Sequence, residues 1–269
     1  MNAKEKPFCA AQTAFLDQVQ QLTSYYFSKS KMKQIRTIQL AIVVLSFFGM
    51  GCEELGDCER GRGPVISRQL DLPNFHSLKL SGSDKIFLMQ GPQQKVTVEG
   101  QQNIIDLLRL EVRKGEWDIR TRGCIRQHER MVYYITVPDI RSLSVEGSGD
   151  IIGQSIFISP QMAFEVTGSG SITADIETAA VDAEVTGSGR LILNGKSKAV
   201  DIEITGSGEC DTYAVQGSEI EVGIEGSGKA YVTALNLLKV DIKGSGEVYY
   251  RGSPVVHSSI TGSGKLIKR

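Results

Sequence analysis

From residue 143 onward, apolar and polar residues alternate, and the alternation is phased to a recurring triplet. Gly-Ser-Gly begins at Gly147, Gly168, Gly187, Gly206, Gly226, Gly244 and Gly262, at spacings of 21, 19, 19, 20, 18 and 18 residues. Two positions before the first glycine stand Val145, Val166, Val185, Ile204, Ile224, Ile242 and Ile260. Four before it stand Leu143, Phe164, Ala183, Ile202, Val222, Val240 and Ser258, and four after it Ile151, Ile172, Leu191, Cys210, Ala230, Val248 and Leu266. Odd offsets are mostly polar. A period of two is the mark of a strand with one buried face. A near-constant longer period marks a repeat whose units bury their apolar faces against each other.

The second glycines are Gly149, Gly170, Gly189, Gly208, Gly228, Gly246 and Gly264. Both glycines of a triplet share the inward parity, and the serine between them points out. The strand is therefore expected to turn inward at the triplet, where glycine relieves the backbone. Each coil is expected to be a strand, a tight corner, a second strand and a loop back. The fold class is all-β, a right-handed parallel β-helix or β-solenoid of 18–21-residue repeats, its hand following from chain chirality. Stacking would set the triplet serines in an outer ladder, beside Thr167, Thr186, Thr205 and Thr261. Three residues after the first glycine, Arg190, Glu209, Lys229, Glu247 and Lys265 alternate in sign. A parallel in-register stack makes those neighbours attract.

The region 64–140 is less regular but akin. His76 to Ile86 repeats the frame with Asp84 in place of the second glycine. Residues 108–121 read as a hairpin around Lys114-Gly115, 131–138 as a strand, and the charged end KLIKR as a last strand that discourages edge pairing.

Upstream lies the apolar run Leu40–Met50, preceded by Lys29, Lys31, Lys33 and Arg36 and followed by Gly51 and Cys52. A basic start, a short apolar stretch and small residues make a secretory signal. The run is shorter than the ~20 residues a bilayer span needs. Cys52 looks like the acylated cysteine of a bacterial lipobox, although Gly49 stands where leucine is usual. Glu53, Glu54 and Asp57 resemble the acidic segment that sends some Bacteroidetes lipoproteins to the cell surface. Met32 opens a normal signal start, so 1–31 is expected to be a mis-called extension, 32–51 the lipoprotein signal peptide, 52–63 a tether and 64–269 the solenoid.

Composition narrows the function. Net charge is -1, with 30 basic and 31 acidic residues, so nothing draws the whole chain to nucleic acid. Seven prolines suit long hydrogen-bonded strands. Among the cysteines, Cys210 holds an inward offset, and Cys58 and Cys124 are left either to pair in an oxidising compartment or to stay reduced. His76, His128 and His257 share no ligand spacing, and no nucleotide-binding or nucleophile-elbow motif occurs.

The frame of alternating apolar residues leading into Gly-Ser-Gly resembles the head GIN domain family of putative auto-transporter adhesins, as do residues 65–91 and 133–151. The resemblance covers about residues 60–269 and implies a β-helix-like envelope domain without an established active site. No catalytic residue, metal or cofactor is implied.

One feature invites chemistry. Glu165, Asp182, Glu184, Asp201 and Glu203, with Glu221 and Asp241, occupy outward positions before the triplet, and stacking would gather them into a stripe. It could hold a cation or ligand, supply a carboxylate pair acting on polysaccharide, or simply keep the sheet solvated. The expected function is an exported, lipid-anchored outer-membrane protein exposed at the surface. It would be an adhesin or surface-binding module without catalysis, contacting the membrane through its lipid and a surface glycan or protein. Nucleic acid and small-molecule substrates are not expected. A polysaccharide-active enzyme and a structural envelope component are the alternatives.

Overall fold

The computed structural model describes residues 58–269. The expected extension, the signal peptide, Cys52 and the first part of the expected tether lie outside the described residues. The first strands are β1 (Glu59–Arg60), β2 (Val65–Leu70), β3 (Ser77–Gly82), β4 (Lys85–Gln90) and β5 (Lys95–Gln101), followed by one helical turn, α1 (Gln102–Ile105). Then come β6 (Val112–Arg113), β7 (Glu116–Ile119), β8 (Ile125–Gln127), β9 (Val132–Val137) and β10 (Ser142–Gly147). The repeats follow as β11 (Asp150–Gly168), β12 (Ser171–Gly187), β13 (Arg190–Gly206), β14 (Glu209–Gly226) and β15 (Lys229–Gly244). The last coil is β16 (Glu247–Arg251), β17 (Val255–Gly262) and β18 (Lys265–Lys268).

From β10 onward every pairing is parallel, and the triplets lie in register: Gly147, Gly168, Gly187, Gly206, Gly226, Gly244 and Gly262 align rung by rung. The result is a parallel β-solenoid of about 7 turns. Its core is the inward rows read from the sequence: Val145, Val166, Val185, Ile204, Ile224 and Ile242 are at most 1% exposed. Burying each such side chain contributes about 1.5–3 kcal/mol. Cys210 also points into this core, and burial raises its thiol pKa, leaving it an inert apolar filler.

Two expectations are corrected. The coil has no loop back. Each of β11–β15 runs unbroken from one triplet to the next for 16–19 residues. Register shifts, as between Ile152 and Ile156 and between Thr212 and Gln216, absorb differences in coil length, so the ladder stays nearly continuous. Second, the two glycines of a triplet differ. Gly189 is buried beneath the coil before it, and an added Cβ would strike Val166. Gly187 is half-exposed, with φ 109°, and its Cβ would stand 2.6 Å from the Gly168 carbonyl oxygen. The first glycine is required by backbone conformation and the second by packing.

The region before β10 closes one end. Gly82 continues the glycine row to Gly147, making β3 and β4 the first coil. Asp84, in the second-glycine place, is buried, and its carboxylate accepts the Met131 N–H at 3.0 Å. Burial raises its pKa, against the opposing pull of that N–H, His128 and Arg130. β5 departs from the solenoid pattern, lying antiparallel to both β2 and β9. β6 and β7 form the expected hairpin, whose turn residues Lys114 and Gly115 have φ 52° and 78°. Phe75, Trp117 and Tyr133 cluster beneath, with centroids 5.7 and 6.1 Å apart, and the Trp117 indole N–H donates to the Arg109 carbonyl. Cys58 and Cys124 are joined by a disulfide, and β1 pairs with β8. Cys58 and β1 thus lie within the segment 52–63 expected to be a tether.

At the other end, the inward rows of β17 are open: Val256 is 36% and Ile260 41% exposed. Ser258 of the same row is exposed as well, because no coil among the described residues covers it.

Candidate functional site

The long walls of the solenoid carry different chemistry, and each is built by repetition. On the wall before the triplets, the register brings Glu165, Glu184 and Glu203 into one row and Asp182, Asp201 and Glu221 into the next. The acidic residues singled out from the sequence therefore do meet. Ser144 precedes Glu165 in the row and donates to it at 3.0 Å, while Gly223 and Asp241 continue it beyond Glu203. A Cβ at Gly223 would collide with the Glu203 carboxylate, so that glycine leaves the space in which the carboxylate lies. Lys239 pairs with Glu221 at 3.3 Å and Lys243 with Glu225 at 2.8 Å, closing the stripe with positive charge.

Asp201 and Glu203 have raised pKa values, first because partial burial desolvates them and next because neighbouring carboxylates repel their charge. Among the described residues no group of three or more His, Cys, Asp or Glu is arranged to hold a metal ion. The carboxylates stand along an open wall rather than converging on a point.

The wall after the triplets shows the sign alternation read from the sequence: Arg190, Glu209, Lys229, Glu247 and Lys265 occupy consecutive rungs. Arg190 and Glu209 approach to 3.4 Å, and Lys229 and Glu247 to 3.9 Å. Beside it runs a row not singled out from the sequence, five residues past the first glycine. Phe87, Ile152, Thr173, Ile192, Asp211, Tyr231, Tyr249 and Ile267 align rung to rung, with Tyr134 beyond Phe87. Its positions have outward parity, yet most are apolar or aromatic. That breach of the alternation was the available signal.

Aromatic stacks stand at both ends of this row. Phe87 and Tyr134 stack at 5.5 Å, and Tyr231 and Tyr249 at 5.1 Å. Tyr213 meets Tyr231 edge-on at 5.3 Å, with the Arg251 guanidinium 4.1 Å from the Tyr213 ring centre. Between the stacks the row carries no aromatic ring, and beside it lies an open groove of about 440 Å³ over the corners of three coils, lined by Ser169, Thr173, Ser188, Arg190, Ile192 and Ser207 among others.

A continuous parallel solenoid with straight rows of side chains and open walls defines a class of extended repeat protein. Residues 74–254 match the family described as putative auto-transporter adhesin, head GIN domain, and the chain belongs to that family. Solved structures share the fold. A putative adhesin from Bacteroides fragilis aligns at TM-score 0.72 and 19% identity, covering 78% of this chain and 100% of that one. A putative lipid binding protein from Parabacteroides distasonis aligns at 0.69 and 22%, covering 79% and 100%. A putative adhesin from Parabacteroides merdae aligns at 0.67 and 16%, covering 80% and 100%. Among curated proteins, none matches the chain.

Proposed function

We propose that the chain is an exported, lipid-anchored envelope protein whose solenoid works at the cell surface by binding, in an adhesin-like role and without catalysis. The observation that carries this reading is the in-register repetition of the side-chain rows. Catalysis needs one carboxylate or nucleophile set apart from its neighbours by environment. Here Glu165, Glu184 and Glu203 occupy equivalent places on consecutive rungs, and the two stripe members with raised pKa values, Asp201 and Glu203, share their causes, partial burial first and like-charged neighbours next, so neither is set apart as acid against base. A regular wall instead repeats the same weak contact many times, and such contacts multiply when the partner is itself repetitive. Membership of a family described as putative adhesins, and a fold shared with structures described as putative adhesins from Bacteroides fragilis and Parabacteroides merdae, support this role. The basic, apolar and small-residue order before Cys52 supports export and acylation.

The test is metabolic lipid labelling of the wild type and Cys52→Ala, followed by protease treatment of intact cells. Label that disappears in Cys52→Ala, together with loss of the solenoid on proteolysis, is the expected result. An unlabelled wild type overturns the anchor, and full protection from protease overturns the surface placement. Turnover of any polysaccharide that is lost in Asp182→Asn/Glu184→Gln would overturn the non-catalytic reading.

A further inference from the structure

We infer that the wall after the triplets is the binding face, and that it takes a neutral, extended polysaccharide strand laid along the solenoid axis. The inference rests on the reading of the solenoid as a binding module and names its site and ligand class. The groove over β12–β14 is floored by Gly170 and Gly189, and edged by the exposed hydroxyls of Ser169, Ser188 and Ser207. Thr173 and Ile192 form its far side, and Arg190 and Glu209 supply a paired donor and acceptor within it. The glycine floor and the serine hydroxyls recur at the rung spacing of about 4.8 Å, close to the advance per sugar of an extended β-linked chain. Hydroxyl, guanidinium and carboxylate groups suit a partner dense in hydroxyls. Ile192, and the stacked rings beyond either end, suit the apolar C–H edges of its rings.

Charge selects a neutral chain. The row of Arg190, Glu209, Lys229, Glu247 and Lys265 alternates in sign, so neighbouring charges largely cancel and no stripe of one sign forms. A nucleic acid needs a stripe of one sign. An added peptide strand needs unpaired N–H and C=O groups, and on this wall the coils on either side consume them. A lipid surface needs a continuous apolar face, and Ser171, Thr173, Arg190, Glu209 and Asp211 interrupt this one.

The test is electrophoresis of the detergent-solubilised full chain through gels containing hydroxyethylcellulose, arabinoxylan, galactomannan or, as the charged counterpart, polygalacturonate. Retardation by at least one neutral polymer is expected, with apparent affinity falling about tenfold in Ser188→Arg, which fills the groove with a charge. The same loss is expected in Ile192→Asp, which breaks the apolar side. Circular dichroism and melting confirm that each variant is folded, and Asp182→Asn/Glu184→Gln on the wall before the triplets should bind as the wild type does. The inference falls if no neutral polymer retards the wild type or if polygalacturonate alone does. It also falls if a folded groove variant binds unchanged, or if the Asp182→Asn/Glu184→Gln pair abolishes binding. A chain that is labelled and shaved from cells yet ignores every polymer loses this inference and keeps the surface reading. A chain that binds but is protected from protease keeps the groove and loses the surface.

Discussion

The stack from β11 to β15 and the cap before β10 solve the same problem by opposite means. In the stack each coil is specified by its neighbour: the same glycine, valine and hydroxyl positions meet themselves one rung on, and parallel backbone bonds do the rest. Among the described residues the cap has no equivalent coil on its outer side. It substitutes antiparallel strands, a hairpin, an aromatic cluster and a disulfide, none of which repeats. Repetition thus makes a long molecule cheap to encode, while the first coil requires individual solutions.

The sharpest way to break that contrast is at a corner. Gly206→Val would force a branched residue into φ 112° with its Cβ against the Gly187 carbonyl. Backbone strain and steric overlap together should cost about 4 kcal/mol or more. Urea unfolding should show the whole stack weakened, because every coil depends on its neighbour. Removing the disulfide by Cys58→Ser/Cys124→Ser should cost about 2–4 kcal/mol through the released 66-residue separation. Hydrogen exchange should place that loss in β1, β8 and α1 and leave β12–β14 protected.

The junction gives a smaller effect with a definite sign. The pKa of Asp84 is raised in the folded state, so its contribution to stability is fully present below the ordinary carboxylate range and is lost as pH rises through the raised value. Asp84→Asn keeps an acceptor for the Met131 N–H without the buried charge. The variant should therefore match the wild type in acid and exceed it increasingly toward neutral pH, as chemical denaturation at several pH values would reveal. The smallest effect belongs to the acidic wall. The same sign holds for Asp201 and Glu203, whose pKa values are also raised. Neutralising both should stabilise the chain at pH 7 by less than about 1 kcal/mol, and added salt should shrink the gain.

The sequence reading succeeded where backbone periodicity decides the outcome. The parity of Val185 and Ile204, the alternation of Arg190 and Glu209, and the gathering of Glu184 with Glu203 all followed from equal spacing in a parallel stack. It went astray where the backbone does something that parity does not record. Gly187 and Gly189 share a parity, but one sits at a corner with positive φ and the other lies under a neighbour. The row through Ile152, Ile192 and Tyr231 was visible as apolar residues at outward offsets. Its continuity into Phe87 and Tyr134 depended on pairings of β4 and β9 that no repeat announces.

The link between Cys58 and Cys124 also has a mechanical meaning. With the proposed anchor at Cys52 and a load on its walls, the molecule would feel tension where the chain enters the cap. At Cys58 that tension meets a covalent shortcut to Cys124, and the 66 residues of sequence separation cannot be drawn out. Fully extended, they would have lengthened the leash by about 220 Å. The load passes instead through β9 into the first coils. The cap then acts as a fixed grip on the chain at Cys58.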